Sequence, residues 1–279
     1  MHPSETKGAV TVRLKGGLGN QMFQYAMGRA ISLRSGMPLW LDTSMFGLVD
    51  RNRTYALAPY RIEARVTRLS LWSLGAVWLR GRYYREKTFT CDPGVASVSP
   101  GTVLMGNFQS EKYFLAEADA VRKDLSLREP LSGRAEKHLE EINAVALSVA
   151  VHVRRDDYVS DQKTSSFHGN CSWEYYENAM RLMRERLVDV RFFFFSDEPD
   201  WLAAQQVRGI IVSGLSPHED MFLMSRCAHQ IIANSSFSWW GAWLNRNPDK
   251  VVVAPRRWFA NEYYEQQTGD LIPEGWIRL

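Results

Sequence analysis

Short runs of β-branched and aromatic residues alternate with longer helical patterns along the whole chain. Several of these runs are apolar at successive positions rather than at every second one, which is typical of strands that are covered on both faces. Strands of that kind belong to parallel sheets with helices packed on both sides, so the sequence predicts an α/β fold. The eight predicted strands are Ala9–Lys15, Pro38–Asp42, Thr102–Gly106, Ala146–Val153, Val190–Ser196, Gly209–Ser213, His229–Asn234 and Lys250–Pro255.

Helical patterns lie between the strands, and one turn-rich stretch divides the chain. The stretch LREPLSGR, residues 127–134, combines proline, glycine and charged residues and predicts a boundary between two lobes, 1–130 and 131–279. Residues 50–92 are rich in arginine, and we expect them to form an irregular excursion from the first lobe. The predicted helices span 21–36, 110–125, 132–145, 172–187, 216–227 and 236–247.

Composition excludes several classes of protein. The 279-residue chain is 45% apolar and has a formal charge of +3, so it can bury two cores and has no general attraction for nucleic acid. Cys91, Cys171 and Cys227 are far apart and form no CxxC pair, which indicates neither a disulfide framework nor a zinc site. Residues 1–15 lack the long apolar core of a secretory signal, so we expect a cytoplasmic protein.

One stretch suggests contact with a membrane surface. Residues 67–87 contain an apolar run from Leu69 to Leu79 with arginines on both sides, well short of the roughly 18 to 20 residues that span a bilayer. One interpretation is an interfacial helix on anionic lipid at the inner face of the membrane. The favoured interpretation is a core or inter-lobe helix, because Gly75 and two serines weaken the apolar face.

The densest polar clusters of the chain follow five of the predicted strands. In open parallel sheets, ligands bind beyond the carboxyl ends of the strands. Connecting loops alone do not need so many glycines, carboxylates, arginines and hydroxyls, so we predict that these five loops share one cleft. They are GGLGNQ at 16–21, RRDDY at 154–158, SDEPD at 196–200, NSSFSWWG at 234–241 and PRRWF at 255–259.

The first of these loops, residues 16–21, is rich in glycine and opens onto a helix. Close backbone approach at Gly17 and free N–H groups at a helix start suit a phosphate or a sugar. A plain tight turn explains the same residues equally well. The loop is not a dinucleotide fingerprint, because Met22 occupies the position of the third glycine after Gly17 and Gly19.

The loop after the fourth predicted strand begins with two arginines. Arg154 and Arg155 alternate in direction, so one should face the cleft and the other its supporting structure. A guanidinium fork binds diphosphate oxygens and stabilises charge on a leaving group, and His152 shares the side of Arg154. The alternative is a salt-bridged strand end with Asp156 or Asp157 as partners, which explains one arginine better than two.

Hydroxyls and tryptophans follow the seventh predicted strand. Ser235, Ser236 and Ser238 lie at a predicted helix start, where hydroxyls cap the helix and N–H groups can hold an anion. The three tryptophans that follow can stack on a sugar or a base. Their spacing makes core packing the better interpretation for at least two of them.

Two carboxylates follow the phenylalanine-rich strand. Asp197 and Glu198 can accept hydrogen bonds from a nucleobase or a ribose. The alternative is that they cap the helix that starts at Pro199.

Taken in order, these motifs resemble those of the α-1,2-fucosyltransferase family of bacterial and animal glycan synthesis, glycosyltransferase family 11. The resemblance covers nearly the whole chain apart from 50–92. The matching stretches are Gly16–Ala30, Pro38–Asp42, Gly106–Phe114, His152–Val159, His168–Tyr176, Phe192–Trp201, Glu219–Asn245 and Asp270–Ile277.

The resemblance implies a GT-B-like fold with two Rossmann-like lobes and a cleft between them. It further implies inverting transfer of L-fucose from GDP-β-L-fucose to O2 of a terminal β-galactose. The partners would be this nucleotide-sugar donor and a galactoside acceptor in a cell-surface polysaccharide such as a lipopolysaccharide O-antigen. No metal or other cofactor is implied.

The resemblance also implies roles for individual residues, with the nucleotide mainly on the second lobe. These are Arg154 for the diphosphate, His152 for the nucleotide, Asp197 or Glu198 for guanine, Ser235 to Ser238 for phosphate, and Asn20 and Gln21 for the fucose or the acceptor.

Two aspartates after the arginines raise separate questions. The family usually has glycine where this chain has Asp156, which adds a negative charge near the diphosphate and is expected to point away or to contact the acceptor. The transition state at the fucose carbon should resemble an oxocarbenium ion, so a nearby carboxylate can stabilise it and take the acceptor proton. Asp157 is our first candidate for that base; its alternative role is to orient the two arginines.

Two other functions are compatible with parts of the sequence. A nicotinamide-dependent oxidoreductase would use the glycine turn together with Asp42 at the end of the second strand, although the missing third glycine and the arginine pair argue against it. A non-catalytic glycan-binding module would use the tryptophans and would bind sugar without affinity for GDP.

Overall fold

The computed structural model describes residues 8–70, 75, 79, 81–155, 169 and 171–279. Contacts between residues divide the chain into two units. The first takes in the chain up to Glu129 together with Gln267–Pro273, and the second takes in Pro130–Gln266 together with Glu274–Leu279.

A five-stranded parallel sheet forms the centre of the first unit, in the order β3-β2-β1-β5-β4. β1 is the middle strand, and its Thr11 lies opposite Trp40 on one neighbour and Val103 on the other. The strands are β1 (Val10–Arg13), β2 (Leu39–Asp42), β3 (Arg65–Thr67), β4 (Tyr83–Arg85) and β5 (Val103–Met105).

The region 50–92 differs from the irregular excursion that the sequence predicts. It supplies β3 and β4, the two edge strands of the first sheet. Each of these strands has only three residues, so no period-2 pattern could develop along it.

Helix α1 (Leu18–Ser35) is the main helix of the first unit, and α2 (Ala118–Asp124) follows later in the chain. α1 ends at Gly36, whose φ of 71° allows its N–H to bond the carbonyl of Ser32. The predicted helix over 110–125 forms only in its last part, because two 3₁₀ turns, Glu111–Tyr113 and Leu115–Glu117, precede α2.

The second unit contains a six-stranded parallel sheet in the order β11-β10-β9-β6-β7-β8. All eight strands that the sequence predicts are confirmed across the two sheets, whereas β11 was not predicted. The strands here are β6 (Ser148–Val153), β7 (Arg191–Ser196), β8 (Ile210–Val212), β9 (His229–Ile231), β10 (Val252–Ala254) and β11 (Ile277–Arg278). The helices are α3 (Gly133–Asn143), α4 (Trp173–Arg186), α5 (Pro199–Ala204), α6 (Pro217–Arg226), α7 (Ser236–Leu244) and α8 (Glu262–Glu265).

Both faces of the second sheet are buried, as its apolar strands predict. Phe192 and Phe194 of β7 pack with Met183 of α4 on one face. Phe193 and Phe195 pack on the other face with residues of α3 and α6. The alternation places every residue of β7 between Phe192 and Phe195 in a core.

No helix in the described part of the chain is long and apolar enough to cross a membrane. Most of the stretch 69–79 lies outside the described residues, so surface contact through 67–87 stays a prediction. Of this stretch, Leu69 is buried in a small core with Val103, next to Tyr83.

Candidate active site

The order of strands in the second sheet identifies its binding edge. β7 and β8 lie on one side of β6, and β9 to β11 lie on the other. Successive strands are therefore added first on one side of β6 and then, from β9 onwards, on the other side, so the carboxyl ends of β6 and β9 flank a topological switch point. His152 in β6 and the loop Asn234–Ser235 after β9 lie at this edge.

Arg154, directly after β6, is held by the end of the neighbouring strand. Its Nε lies 3.1 Å from Oδ2 of Asp197, which follows β7. The other oxygen of Asp197 accepts a hydrogen bond from the backbone N–H of Arg155 at 3.0 Å. The carboxylate thus fixes both the side chain of Arg154 and the backbone that leads away from it.

Arg155 turns to the opposite side, as alternation predicts. Its Nε lies 2.9 Å from Oε2 of Glu198, and its guanidinium carbon lies 3.8 Å from the ring centre of Trp201 in α5. Trp201 packs against the core on the α4 face of the sheet. Arg155 is therefore a structural residue that ties β6 to β7 and α5.

Asp197 and Glu198, the two carboxylates assigned to guanine by position, are both engaged by arginine. α5 does begin at Pro199, but the side chain of Glu198 makes no capping hydrogen bond. The end of β6 is thus salt-bridged, and the partners of its two arginines are Asp197 and Glu198. Asp156 and Asp157 lie outside the described residues, so the roles predicted for them stay predictions.

His152 is a neutral, buried group beside Arg154. Its side chain is 4% exposed, and its ring centre lies 5.3 Å from that of Phe237 in α7. Burial, followed by the charge of Arg154, lowers the pKa of His152 to about 4, although Asp197 opposes this. Within the described residues, its Nδ1 has no hydrogen-bond partner, so this atom can bind a polar group of a ligand.

The three serines at the start of α7 are not equivalent. Ser235 is the N-cap, and its Oγ accepts from the N–H of Phe237 at 3.3 Å. Ser238 is fully buried, and its hydroxyl bonds the carbonyls of Ala233 and Ser235. Ser238 braces the turn, so an anion at this end would meet backbone N–H groups and the half-buried Ser236.

Asn234 was not predicted as a site residue, yet it connects three segments at the switch point. Its Nδ2 donates to the carbonyl oxygens of Gly169 and Trp258, at 3.0 and 3.1 Å. Cys171 Sγ lies 3.4 Å from its Oδ1. Asn234 therefore fixes the end of β9 to the loop after β10 and to the chain that enters α4.

Asp220 is a second residue that was not predicted for the site; it lies in the first turn of α6. The start of α6 is confirmed, with a capping box formed by Ser216 and Glu219. Asp220 Oδ1 is buried without a partner among the described residues. Burial, followed by the charge of Glu219, raises the pKa of Asp220 to about 7. α6 follows β8 after a short loop, so this acid lies at the carboxyl edge of the sheet.

The tryptophans of α7 belong to the core. Trp239, Trp240 and Trp243 are at most 2% exposed. Their rings pack on one another, with centres 5.1 to 6.0 Å apart. The core interpretation is confirmed for all three, which removes the surface that a glycan-binding module would need.

Asp42, which a nicotinamide-dependent oxidoreductase would use to bind the ribose of its cofactor, is buried and already hydrogen-bonded. It is fully buried, and its carboxylate accepts from Arg13 Nε and from the backbone N–H groups of Ser44 and Leu69. The oxidoreductase interpretation has no support at this position.

The glycine-rich loop lies at the carboxyl edge of the first sheet. Gly16 has a φ of 75°, and a Cβ there would lie 2.5 Å from Nδ2 of Asn20. Its N–H donates to Asp50 Oδ2 at 2.6 Å, and Gly17 is the N-cap of α1. Carbonyl and side-chain contacts therefore fix the loop, and its N–H groups begin a helix of 18 residues.

Gln21 and Asn20 have different surroundings. Gln21 is fully buried; its Nε2 donates to the carbonyls of Gly16 and Thr54, and its Oε1 accepts from the N–H of Ala56. Gln21 thus anchors the loop, because both ends of its amide are bonded to backbone groups. Asn20 is half-buried, and its Oδ1 accepts from Gln109 Nε2.

A sequence model described as glycosyl transferase family 11 matches residues 1–279. The chain belongs to this family. It is 32% identical to an α-1,2-colitosyltransferase of Escherichia coli, over 97% of this chain and 98% of that one. It is 33% identical to the O-antigen biosynthesis glycosyltransferase WbnK of Escherichia coli, over 95% of this chain and 99% of that one.

A solved structure resembles this family 11 glycosyltransferase in fold. The structure of POFUT1 in complex with GDP has a TM-score of 0.51, with 13% sequence identity over 89% of this chain and 98% of that one. Both sheets of our chain are parallel and helix-covered, and its fold is α/β of the GT-B-like kind found in fucosyltransferases.

We find no metal-binding cluster among the described residues of this glycosyltransferase, where such a cluster means three or more His, Cys, Asp or Glu side chains placed to hold one ion. Whether its reaction requires a metal stays a prediction.

Proposed function

We propose that the protein transfers L-fucose from GDP-β-L-fucose to O2 of a terminal β-galactose, with inversion to an α linkage. The observation that carries the proposal is Arg154, oriented by Asp197 at the switch point of the second sheet beside a neutral, buried His152. Membership of family 11 and the α-1,2 specificity in the name of one relative support the reaction type and the linkage.

Arg154 is proposed to stabilise the diphosphate that leaves the sugar. The bond from Nε to Asp197 holds the plane of the guanidinium, so its charge and its N–H donors are oriented before the reaction. The start of α7 adds backbone N–H groups and the positive end of a helix dipole. Together these groups favour negative charge at the leaving oxygen.

His152 and Asp220 are proposed to recognise the guanine. The Watson–Crick edge of guanine carries an N–H and an NH₂ group, and the two oxygens of a carboxylate can each accept a hydrogen bond from one of them. Asp220 has a buried oxygen without a partner among the described residues, whereas Asp197 and Glu198 are engaged by arginine. His152 adds the Nδ1 atom that no described group satisfies.

Inversion requires the acceptor hydroxyl to approach from the face opposite the diphosphate. A carboxylate near that hydroxyl would take its proton as the bond to the fucose carbon forms. Asp157 is proposed for this role because it follows the arginine pair closely in the chain. The first unit is proposed as the acceptor side and the second as the GDP side.

A second donor is favoured by one relative. Colitose is L-fucose without its 3-hydroxyl group, and the E. coli relative is named as an α-1,2-colitosyltransferase. GDP-colitose is therefore the alternative donor for this chain. An O-antigen galactoside is the proposed acceptor, in keeping with the name of the second relative.

The test is a transfer assay with GDP-fucose and GDP-colitose against a panel of β-galactosides, with the product linkage assigned by NMR. We expect an α-1,2-fucosylated galactoside and unchanged turnover in EDTA. A product linked elsewhere, or turnover with GDP-colitose alone, would contradict the proposal. Loss of turnover in EDTA would contradict its metal independence.

A further inference from the structure

The first sheet has a switch point of its own. β2 and β3 lie on one side of β1, and β5 and β4 lie on the other. The carboxyl ends of β1 and β5 therefore flank the position at which open α/β sheets bind ligands. Two loops meet there, the glycine-rich loop after β1 and residues 106–109 after β5.

A side-chain hydrogen bond connects these two loops. Gln109 Nε2 donates to Asn20 Oδ1 at 2.8 Å. Gln109 is only 7% exposed, and its Oε1 is buried with no donor among the described residues. A buried amide oxygen without a partner is costly, so this atom is a candidate contact for a ligand.

The turn that carries Gln109 is held in a strained conformation. Phe108 is fully buried with a φ of 52°, in the left-handed region that non-glycine residues rarely adopt. Glu86, after β4, accepts from the N–H groups of Asn107 at 2.6 Å and of Phe108 at 3.0 Å. A Cβ on Gly106 would lie 2.6 Å from the Glu86 side chain. Strain that the surroundings enforce in this way is concentrated at functional sites.

A neighbouring glutamine shows what a purely structural amide looks like at this edge. Gln24 is fully buried; its Nε2 donates to the carbonyl of Gly106 at 3.0 Å, and its Oε1 accepts from the N–H of Lys15 at 3.1 Å. Both ends of its amide are satisfied by the backbone of the same two loops. Gln109 differs because one end is satisfied and the other is not.

We propose that Gln109 Oε1 accepts a hydrogen bond from a pyranose hydroxyl group, which makes Gln109 a specificity-determining residue. The inference rests on the proposed function, since the two sugars of that reaction, the fucose of the donor and the galactose of the acceptor, both offer such hydroxyls. Asn20 orients the amide and is a positioning residue.

The experiment compares Gln109→Leu, Gln109→Glu and Gln24→Leu with the wild-type enzyme. Kinetics are measured with GDP-fucose and a β-galactoside, and with the monodeoxy forms of each sugar. Gln109→Leu should raise the KM of one parent sugar by about 10- to 100-fold and abolish discrimination against its matching deoxy form. The affected substrate then shows whether the hydroxyl belongs to the donor or the acceptor.

The two other variants separate recognition from stability. Gln109→Glu keeps an oxygen acceptor but loses the Nε2 donor to Asn20, so a retained preference for the parent sugar would show that the oxygen alone recognises the hydroxyl. Gln24→Leu removes two bonds to backbone, so it should lower the melting temperature more than Gln109→Leu while shifting KM less.

Two results would overturn the inference. These are unchanged KM values for both sugars in Gln109→Leu, and a wild-type enzyme that discriminates against no monodeoxy sugar. The comparison of parent and monodeoxy sugars with the wild-type enzyme tests the inference even if Gln109→Leu does not fold. Failure of the proposed function is distinguishable, because the wild-type enzyme would then transfer no fucose or would form a product with another linkage.

Discussion

Arg154 and Arg155 are neighbours in the chain, yet their surroundings predict different consequences of substitution. Arg154→Ala should lower kcat/KM for GDP-fucose by about 100-fold or more, because charge on the diphosphate loses its guanidinium. Its melting temperature should change little. Arg155→Ala should lower the free energy of unfolding by about 1 kcal/mol, because a half-exposed ion pair and the contact with Trp201 are lost.

Urea unfolding and steady-state kinetics on both variants provide the measurement, and each variant is the control for the other. Near-normal turnover in Arg154→Ala would show that the diphosphate is held elsewhere. Arg154→Lys adds a finer comparison, since an ammonium keeps the charge but not the planar fork that Asp197 orients.

Asp220 links the stability of the protein to pH. Its pKa is about 7 in the folded chain and 3.8 ordinarily. Between about pH 4 and 7 the folded chain therefore keeps a proton that the unfolded chain has lost, so this group lowers stability as the pH rises across that range. Asp220→Asn should raise the free energy of unfolding at pH 8 by about 1 to 3 kcal/mol and leave it unchanged at pH 4.

The same substitution should weaken GDP binding by about tenfold, because the amide presents a donor where guanine also presents donors. Denaturation at pH 4 and pH 8 and calorimetric titration with GDP measure the two effects. A variant that is destabilised at pH 8 and binds GDP normally would refute the assignment.

At the level of elements, the tryptophans of α7 pack in the core although they follow a polar loop in the sequence. Trp243 is 2% exposed and stacks on Trp239 with ring centres 6.0 Å apart. Trp243→Ala should lower the free energy of unfolding by about 3 to 5 kcal/mol, the usual cost of removing a large buried aromatic side chain. Tyr263→Ala is the matched control, since Tyr263 is 65% exposed and its removal should have little effect. Equal effects in the two variants, measured by urea unfolding, would contradict the core assignment.

The elements also show how far sequence alone leads. Eight strands were predictable because each is a short run rich in β-branched, aromatic or other apolar residues, and the helix predicted over 216–227 matches α6. β3, β4 and β11 were not, because two or three residues at or near a sheet edge carry no periodicity.

The hydrogen bonds between residues of the site were less predictable than the loops on which these residues lie. The loops after β1, β6, β7 and β9 follow from the rule that ligands bind at carboxyl ends of strands. The sequence could not show that the N–H of Arg155 would meet Asp197, 42 residues away. Nor did any motif distinguish Gln109, with an unsatisfied oxygen, from Gln24, whose amide is saturated.

At the level of the whole molecule, the chain does not divide at a single point. The sequence predicts one boundary near residue 130, whereas Gln267–Pro273 pack with the first unit before the chain returns to the second. Gln267 Oε1 accepts from the N–H of Phe89, and Asp270 accepts from that of Cys91 and pairs with Lys112. Side chains far along the sequence thus complete the first unit, which local turn signals near residue 130 could not reveal.

The division into units predicts where GDP should protect the chain. Binding should slow amide hydrogen exchange at the carboxyl edge of the second sheet, around the ends of β6 and β9 and the starts of α6 and α7. The opposite edge, where Val188 is 86% exposed near the start of β7, is the internal control and should be unaffected. At 100 times its Kd, GDP should add about 2.7 kcal/mol of stability, whereas CDP, which lacks the guanine edge, should add much less. Protection confined to the first unit, or equal stabilisation by the two nucleotides, would place the nucleotide elsewhere than at Arg154, His152 and Asp220.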